Sequence, residues 1–159
     1  MLTHERLQHF LSYELETGVF TRVAPCRGVR VGDPAGRKTS HGYWRITIDK
    51  KTYAAHRLAW FYVHGVWPVG DVDHMNGNRQ DNRIANLREA TRSLNMQNLH
   101  CATRANKTGL LGVSPHACGF RAVIVVNRKQ HSLGVHATPE LAHSAYLAAK
   151  RVLHAGSTL

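Results

Sequence analysis

Cysteine patterns that bind zinc or form disulfides are missing from this chain of 159 residues. The three cysteines, Cys26, Cys101 and Cys118, are far apart and form no CxxC pair, which argues against a zinc ribbon or finger. Their odd and sparse number also argues against a disulfide scaffold and fits a reducing compartment. We therefore expect no structural zinc.

Long apolar runs are missing as well. No segment reaches the roughly 18 apolar residues of a transmembrane helix, so we expect no membrane association. The first ten residues, MLTHERLQHF, lack the apolar core of a signal peptide, which favours a cytoplasmic protein.

Acidic residues are scarce. Ten Asp and Glu stand against 21 Lys and Arg, which gives a formal charge of +11. Residues 99–159 hold seven basic residues and one acidic residue, Glu140, and so carry the denser positive field. Such an excess favours an acidic partner, of which nucleic acid is the commonest. The alternative is a solvated basic surface that binds nothing.

Local patterns in the first half predict a β-hairpin followed by a helix. Side chains alternate along Tyr43–Ile48, and Asp49-Lys50-Lys51 is a plausible turn into a second strand over Thr52–Ala55. The mostly apolar stretch His56–His64 predicts a short helix, and Gly65 is well placed to end it.

The last third predicts a small sheet and one long helix. Gly112–Ser114, Phe120–Asn127 and Gln130–Val135 have the composition of short strands. Thr138 is a good N-cap for a helix over Pro139–His154, with proline at the first helical position. The small-residue face expected on this helix comprises Leu141, Ala142, Ala145, Ala148, Ala149 and Val152.

The most informative stretch is Val72–Asn98, VDHMNGNRQDNRIANLREATRSLNMQN. It predicts a strand ending near Met75, a turn at Asn76-Gly77, a second strand over Asn86–Ala90 and a helix over Arg92–Leu99. The sum is a ββα unit of about thirty residues.

Three residue types in this unit suit the hydrolysis of a phosphodiester. Asp73 offers a carboxylate oxygen and Asn95 an amide oxygen, and such hard ligands suit Mg²⁺ or Mn²⁺. His74 is the natural general base, because an ordinary imidazole is largely neutral at pH 7. Adjacent strand residues face opposite sides, so both can serve one site only at a bend or strand end. Asn86 is expected to bond the backbone around His74 and orient its ring.

These residues carry a resemblance. Val72–Asn98 resembles the HNH motif of phage and intron-encoded homing endonucleases, in the variant without zinc-binding cysteines. His74 matches the first position, Asn86 the central one and Asn95 the third. The segment Tyr13–Pro68, with TGVF, GYWRI and HRLAW, is similar to the region that precedes the motif in many phage HNH proteins. The resemblance implies cleavage that leaves 5′-phosphate and 3′-hydroxyl ends.

A second resemblance covers residues 107–157. The strings TGLLGVS, FRAVIVV and HSLGVHATPELAHSAY resemble an AP2-like DNA-binding domain. The fold expected for the whole chain is α+β: an HNH ββα-metal module with an N-terminal β-hairpin extension, then a three-stranded antiparallel sheet with one helix. The expected domains are 1–99, with the ββα motif at about 70–99, a linker at 100–109 and the AP2-like domain at 110–159.

The basic residues of the hairpin, the linker and the small sheet are the expected contacts to DNA. Arg121 is the best candidate for a base or phosphate contact, whereas Val123 and Val125 are expected to belong to a packed face with Phe120. The expected DNA-binding residues are Arg37, Lys38, Arg45, Arg104, Lys107, Arg121, Arg128 and Lys129.

Several polar residues have a simpler interpretation. Asn76, Asn78, Asp81 and Asn82 are expected only to form turns. Asn86 remains open between support of catalysis and support of the fold. For His56, packing of its helix on the nuclease unit is favoured over a phosphate contact.

The function predicted from the sequence is site-selective, divalent-metal-dependent cleavage of double-stranded DNA, of the homing type. The setting implied is a phage or mobile element acting in a bacterial cytoplasm, with a monomer that nicks and no obligate protein partner. Two alternatives stay open: a DNA-binding regulator with an idle nuclease site, and a nonspecific HNH nuclease.

Overall fold

The computed structural model describes residues 1–25, 28–103, 105–154 and 156–158. The chain divides into two compact units, Met1–Thr91 and Arg92–Leu159, which we call the N-terminal and C-terminal units. The described residues form small antiparallel sheets and four α-helices, a mixed α and β fold. None of the described helices is long and apolar enough to cross a membrane.

The described residues of the N-terminal unit form two helices, seven short strands and a 3₁₀ turn, Ile84–Asn86. In chain order the elements are α1 His4–Phe10, β1 Leu11–Tyr13, β2 Phe20–Arg22, β3 Arg37–Lys38, β4 Trp44–Ile48, β5 Lys51–Ala54, α2 Ala55–His64, β6 Asp71–His74 and β7 Leu87–Ala90. Strand β1 pairs with β2, β4 lies between β3 and β5, and β6 pairs with β7, all antiparallel.

The hairpin of β4 and β5 follows from alternation and turn chemistry. Ile46 and Ile48 are buried while Arg45 and Thr47 are exposed, as the sequence predicts. The turn residues Asp49 and Lys50 have φ values of 47° and 62°, the conformation of a two-residue type I′ turn.

Helix α2 forms the centre of the core of this unit. Leu58 and Ala59 are fully buried, and Gly65 ends the helix with φ 71°. The predicted helix and its stop are therefore both present. Buried residues from α1, the short strands and β6–β7 join α2 in one hydrophobic cluster, which includes Val72 and Leu87.

In the described part of the C-terminal unit there are two helices and a three-stranded sheet. Its elements are α3 Arg92–Gln97, β8 Val113–His116, β9 Gly119–Val126, β10 Lys129–His136 and α4 Pro139–Leu153. The sheet order is β10-β9-β8, and Asn127 and Arg128 form its second turn with φ values of 50° and 64°. The expected domain 1–99 includes α3, whereas α3 groups with the C-terminal unit here.

Helix α4 covers one face of this sheet. Thr138 caps it by accepting a hydrogen bond from the Leu141 N–H. A side chain at Gly112, where φ is 75°, would collide with the Tyr146 ring, so the chain approaches α4 closely there.

Two expectations for the C-terminal unit are wrong. The buried face of α4 is formed by Ala142, Tyr146 and Lys150, whereas Leu141 and Val152 are exposed. Lys150 is 1% exposed, and its ammonium group donates to the Leu99 carbonyl, which offsets part of the cost of burying the charge.

The second correction concerns β9. Ala122 and Ile124 are buried, so Val123 and Val125 project from the opposite face, and Val125 is 54% exposed. These valines are not part of the packed face, because alternation assigns that face to their neighbours.

Candidate active site

The β6–β7 hairpin positions the two leading candidate residues. Asp73 lies opposite Arg88, and His74, the last residue of β6, lies opposite Leu87. The turn begins directly afterwards, where the Met75 N–H donates to the Asn86 carbonyl (2.9 Å) and the Gly77 N–H to the His74 carbonyl (2.9 Å). The strand end expected from the sequence is therefore present at His74.

Asp73 and His74 leave this strand on opposite faces. His74 lies opposite Leu87, which belongs to the hydrophobic core. Asp73 lies opposite Arg88, and the Arg88 guanidinium donates to the Asp73 carboxylate on the other face. A phosphodiester that meets both side chains must therefore lie at the end of the strand rather than over one face.

The His74 side chain contacts two aromatic rings and one polar side chain. Its imidazole, 4% exposed, lies 5.0 Å from the His56 ring and 6.0 Å from the Tyr43 ring. Its Nε2 is 3.2 Å from Oδ1 of Asn82, and the Asn82 amide is oriented by donating to the Gln80 carbonyl (3.3 Å). In this orientation the Asn82 oxygen is the acceptor for a His74 imidazole that carries its proton on Nε2.

Burial keeps both neighbouring imidazoles neutral. It lowers the pKa of His74 below the usual value, although the Asn82 hydrogen bond and the Asp73 and Asp81 carboxylates raise that pKa in part. Burial also lowers the pKa of His56 to about 3, with smaller contributions from the His74 ring and the Arg57 charge. A neutral His74 at pH 7 is able to accept a proton.

Asn86 fixes the loop that follows His74. Its Oδ1 accepts from the Asn76 N–H (3.0 Å), and its Nδ2 donates to the Asp81 carbonyl (2.8 Å). The two ends of the loop are thereby joined through one buried side chain. Asn86 is thus a positioning residue for the backbone beside His74.

The rest of the loop is built from turn-forming contacts. Oδ1 of Asn76 accepts from the Asn78 N–H, and Oδ1 of Asn78 accepts from the Gln80 N–H, as expected for turn residues. Asp81 pairs with Arg83 at 2.6 Å, and hydrogen bonding to Arg83 is the main reason that the pKa of Asp81 falls to about 2.

Asn82 is the exception among the expected turn residues. It is 4% exposed, and besides the His74 contact its carbonyl accepts from the Tyr13 hydroxyl at 2.7 Å. Arg79, on the same loop, places its guanidinium 4.9 Å from the centre of the Tyr43 ring. The sequence analysis missed both residues, because a polar loop gives no local signal of which side chains contact the residues around His74.

Asp73 is already engaged by a cation. Its Oδ2 accepts from Nε (3.1 Å) and Nη2 (2.9 Å) of Arg88, and both side chains are mostly buried. A carboxylate oxygen fits a hard divalent cation that keeps several waters. No group of three or more His, Cys, Asp or Glu side chains arranged for a metal occurs among the described residues. Asn95 lies on α3, in the C-terminal unit.

Comparison with protein families decides the class of enzyme. Residues 53–97 match the family model described as HNH endonuclease, and this segment contains Asp73, His74, Asn86 and Asn95. The protein is a nuclease. Nucleases of this family use divalent metal ions, commonly Mg²⁺. Neither the search of curated proteins nor that of solved structures gave a match.

The N-terminal basic residues of the nuclease gather on one sheet. Arg37 lies opposite Arg45 in the β3–β4 pair, and both are exposed, as is Lys38. Arg22, which the sequence analysis missed, lines a shallow cavity of about 390 Å³ together with Arg37 and Arg45. Three arginines that line one concavity favour the binding of an anion such as a phosphate.

The C-terminal basic residues of the nuclease are also on its surface. Lys107 is exposed in the segment before β8, Arg121 projects from β9, and Arg128 and Lys129 are exposed at the turn into β10. Arg104 lies outside the described residues.

His56 lies closer to the candidate base than the sequence suggested. It is largely buried, contacts the His74 and Tyr43 rings, and its Nδ1 has no hydrogen-bond partner among the described residues. Packing against the nuclease hairpin, the favoured expectation, agrees with this position.

Proposed function

We propose that this nuclease is a site-selective, divalent-metal-dependent DNA endonuclease of the homing type. The observation that carries the proposal is the neutral, buried imidazole of His74 at the end of β6, next to the Asp73 carboxylate and inside the segment that matches the HNH family. Metal-assisted hydrolysis of a phosphodiester needs a neutral general base and a hard oxygen ligand for the metal ion.

His74 acts as the general base in this proposal. The neutral imidazole accepts a proton from the attacking water, while Asn82 bonds its Nε2 atom. Asn86 holds the backbone beside it, so the ring cannot swing away as the DNA binds. The water attacks phosphorus in line with the 3′-oxygen, and the products are expected to carry 5′-phosphate and 3′-hydroxyl ends.

A divalent cation, Mg²⁺ or Mn²⁺, is proposed to be held by Asp73 and Asn95. When bound, such an ion supplies Lewis-acid stabilisation of the negative charge on the phosphate and the leaving oxygen. The carboxylate of Asp73 has the oxygen chemistry for this role, and Arg88 restrains its orientation. The pairing of Asp73 with Asn95 stays a prediction from the sequence.

Double-stranded DNA is the proposed substrate, and the C-terminal unit is proposed to select the site as an AP2-like module. The charge of +11 and the exposed Arg121, Arg128 and Lys129 support this role. Several phosphate contacts predict that binding weakens about a thousandfold or more between roughly 50 and 200 mM salt. A monomer acting in the bacterial cytoplasm, encoded by a phage or mobile element, is the proposed setting.

One observation favours a second candidate, a DNA-binding regulator whose nuclease site is idle. The Asp73 carboxylate is already paired with Arg88 at 2.9 Å, and a guanidinium competes with a metal for the same charge. The two candidates differ in whether phosphodiester bonds are cut.

A plasmid-nicking assay distinguishes them. The parent protein is expected to nick supercoiled DNA with Mg²⁺ or Mn²⁺ and to stop when a chelator is added. His74→Ala and Asp73→Ala should lose activity, while His9→Ala, at an exposed histidine, should keep it. Equal activity in His74→Ala and the parent would remove the mechanism. Mapping the cuts on a long DNA tests site selection, because scattered cuts would favour a nonspecific nuclease.

A further inference from the structure

The outward face of the C-terminal sheet combines the Arg121 side chain with two exposed valines and one half-buried valine. On β9, Arg121, Val123 and Val125 alternate with buried residues and so point away from α4. On β10, Val135 lies opposite Arg121 and Ser132 opposite Val123. We call these five residues the valine face. Val125 is 54% and Val135 44% exposed, although valine is a residue that folding usually buries.

We infer that the valine face recognises thymine methyl groups in the major groove of duplex DNA, beside a guanine bound by Arg121. This inference rests on the proposed function, because it assumes that the C-terminal unit binds DNA. The thymine 5-methyl group is the apolar feature of the major-groove edge, and the guanine O6 and N7 atoms are the acceptors that arginine bonds in a bidentate manner.

The spacing of side chains along β9 agrees with the spacing of bases in duplex DNA. Alternate residues of a strand are about 7 Å apart. Successive bases of one DNA strand are about 3.4 Å apart along the axis. Arg121, Val123 and Val125 therefore match positions about two base-pair steps apart. The inference predicts a guanine and thymines within about four steps of one another.

Charge favours DNA over a second copy of this chain as the occupant. Residues 99–159 contain one acidic residue, Glu140, and it lies on α4 rather than on the valine face. Two copies that paired symmetrically through this face would bring two Arg121 side chains together without a carboxylate. A DNA groove instead has phosphates along both edges and methyl groups on its floor.

The test starts from the full-length protein in a chelator, so that DNA is bound but not cut. Selection from a random duplex library supplies bound sequences, and each thymine in them is then replaced by uracil, which lacks only the methyl group. Loss of one buried methyl contact is expected to weaken binding about fourfold. Uracil at uncontacted positions should have no effect.

Protein variants make the test specific. Val125→Ala should weaken binding to thymine DNA and remove the difference between thymine and uracil at one position. Val152→Ala, at an 83% exposed valine on α4, is the matched control and should retain that difference. Equal melting temperatures and circular dichroism spectra show that the variants fold alike.

Three results would overturn the inference. If uracil substitution leaves the affinity of the parent protein unchanged at every position, the methyl groups are not recognised. If Val125→Ala changes the oligomeric state in sedimentation, the face pairs with a second copy. Absence of any DNA binding removes the proposed function as well, whereas selective binding with no uracil effect removes this inference alone.

Discussion

The contact between Asn82 and His74 makes a prediction about rate and pH together. Asn82→Ala removes the acceptor of the His74 Nε2 proton and leaves that N–H buried without this partner. An unsatisfied buried donor costs about 1–3 kcal/mol. If this cost falls on the aligned form of the base, kcat drops about 5- to 150-fold.

The pH profile separates this role from a general loss of structure. Cleavage requires neutral His74, so the rate rises with pH through the pKa of this residue. The Asn82 bond raises that pKa, so its removal should move the rising limb to lower pH. Asn82→Asp places a carboxylate beside the ring and should move the limb to higher pH.

The assay is single-turnover nicking across a pH series at fixed Mg²⁺, with Gln80→Ala as the control. Gln80 is exposed in the same loop and should leave both rate and profile unchanged. An Asn82→Ala protein with parental rate and profile would refute the role assigned to this contact. The role would also be refuted if the rising limb of the pH profile moved in the same direction in Asn82→Ala and Asn82→Asp.

Three further predictions concern stability and binding. Burial lowers the pKa of His56 in the folded state to about 3. Between about pH 3 and 6.5 the unfolded chain therefore binds more protons than the folded chain. The free energy of unfolding should fall as the pH falls through this window, by at most about 1.4 kcal/mol per pH unit. Thermal melts of His56→Gln should show a weaker pH dependence, and an unchanged one would contradict the assignment. Replacing Arg37 and Arg45 together with Gln should reduce the slope of log affinity against log salt by about 2, whereas Arg6→Gln, whose guanidinium is paired with Asp49, should change it less. Gly112→Ala should lower the melting temperature through the clash with α4 and its positive φ, and an unchanged melt would show that the turn tolerates a side chain.

Features with local causes were predictable from the sequence. The turn at Asp49-Lys50, the stop at Gly65 and the cap at Thr138 each depend on residues within one or two turns of the chain. The hairpin and helices they delimit therefore agree with expectation, apart from shifts of one or two residues at their ends.

Features decided by distant contacts were not predictable. The burial of Asn82 depends on the Tyr13 hydroxyl, far away in the sequence. Alternation along β9 shows that Val125 and Ile124 face opposite sides, but the position of α4 decides which of them is buried. Lys150 is buried with its ammonium group donating a hydrogen bond to the Leu99 carbonyl, a partner that no pattern within α4 reveals.

The anchoring of α3 limits how far this enzyme can be divided. The last residue of the helix that carries Asn95 and the residue after it are both bonded to the C-terminal segment: the Gly156 N–H donates to the Gln97 side chain (3.1 Å), and the Thr158 hydroxyl donates to the Asn98 side chain (2.9 Å). A fragment cut at the apparent linker would lose both ties. Grafting a segment that ends with α3 onto a foreign DNA-binding module would therefore also require transplanting the C-terminal residues that bond to it.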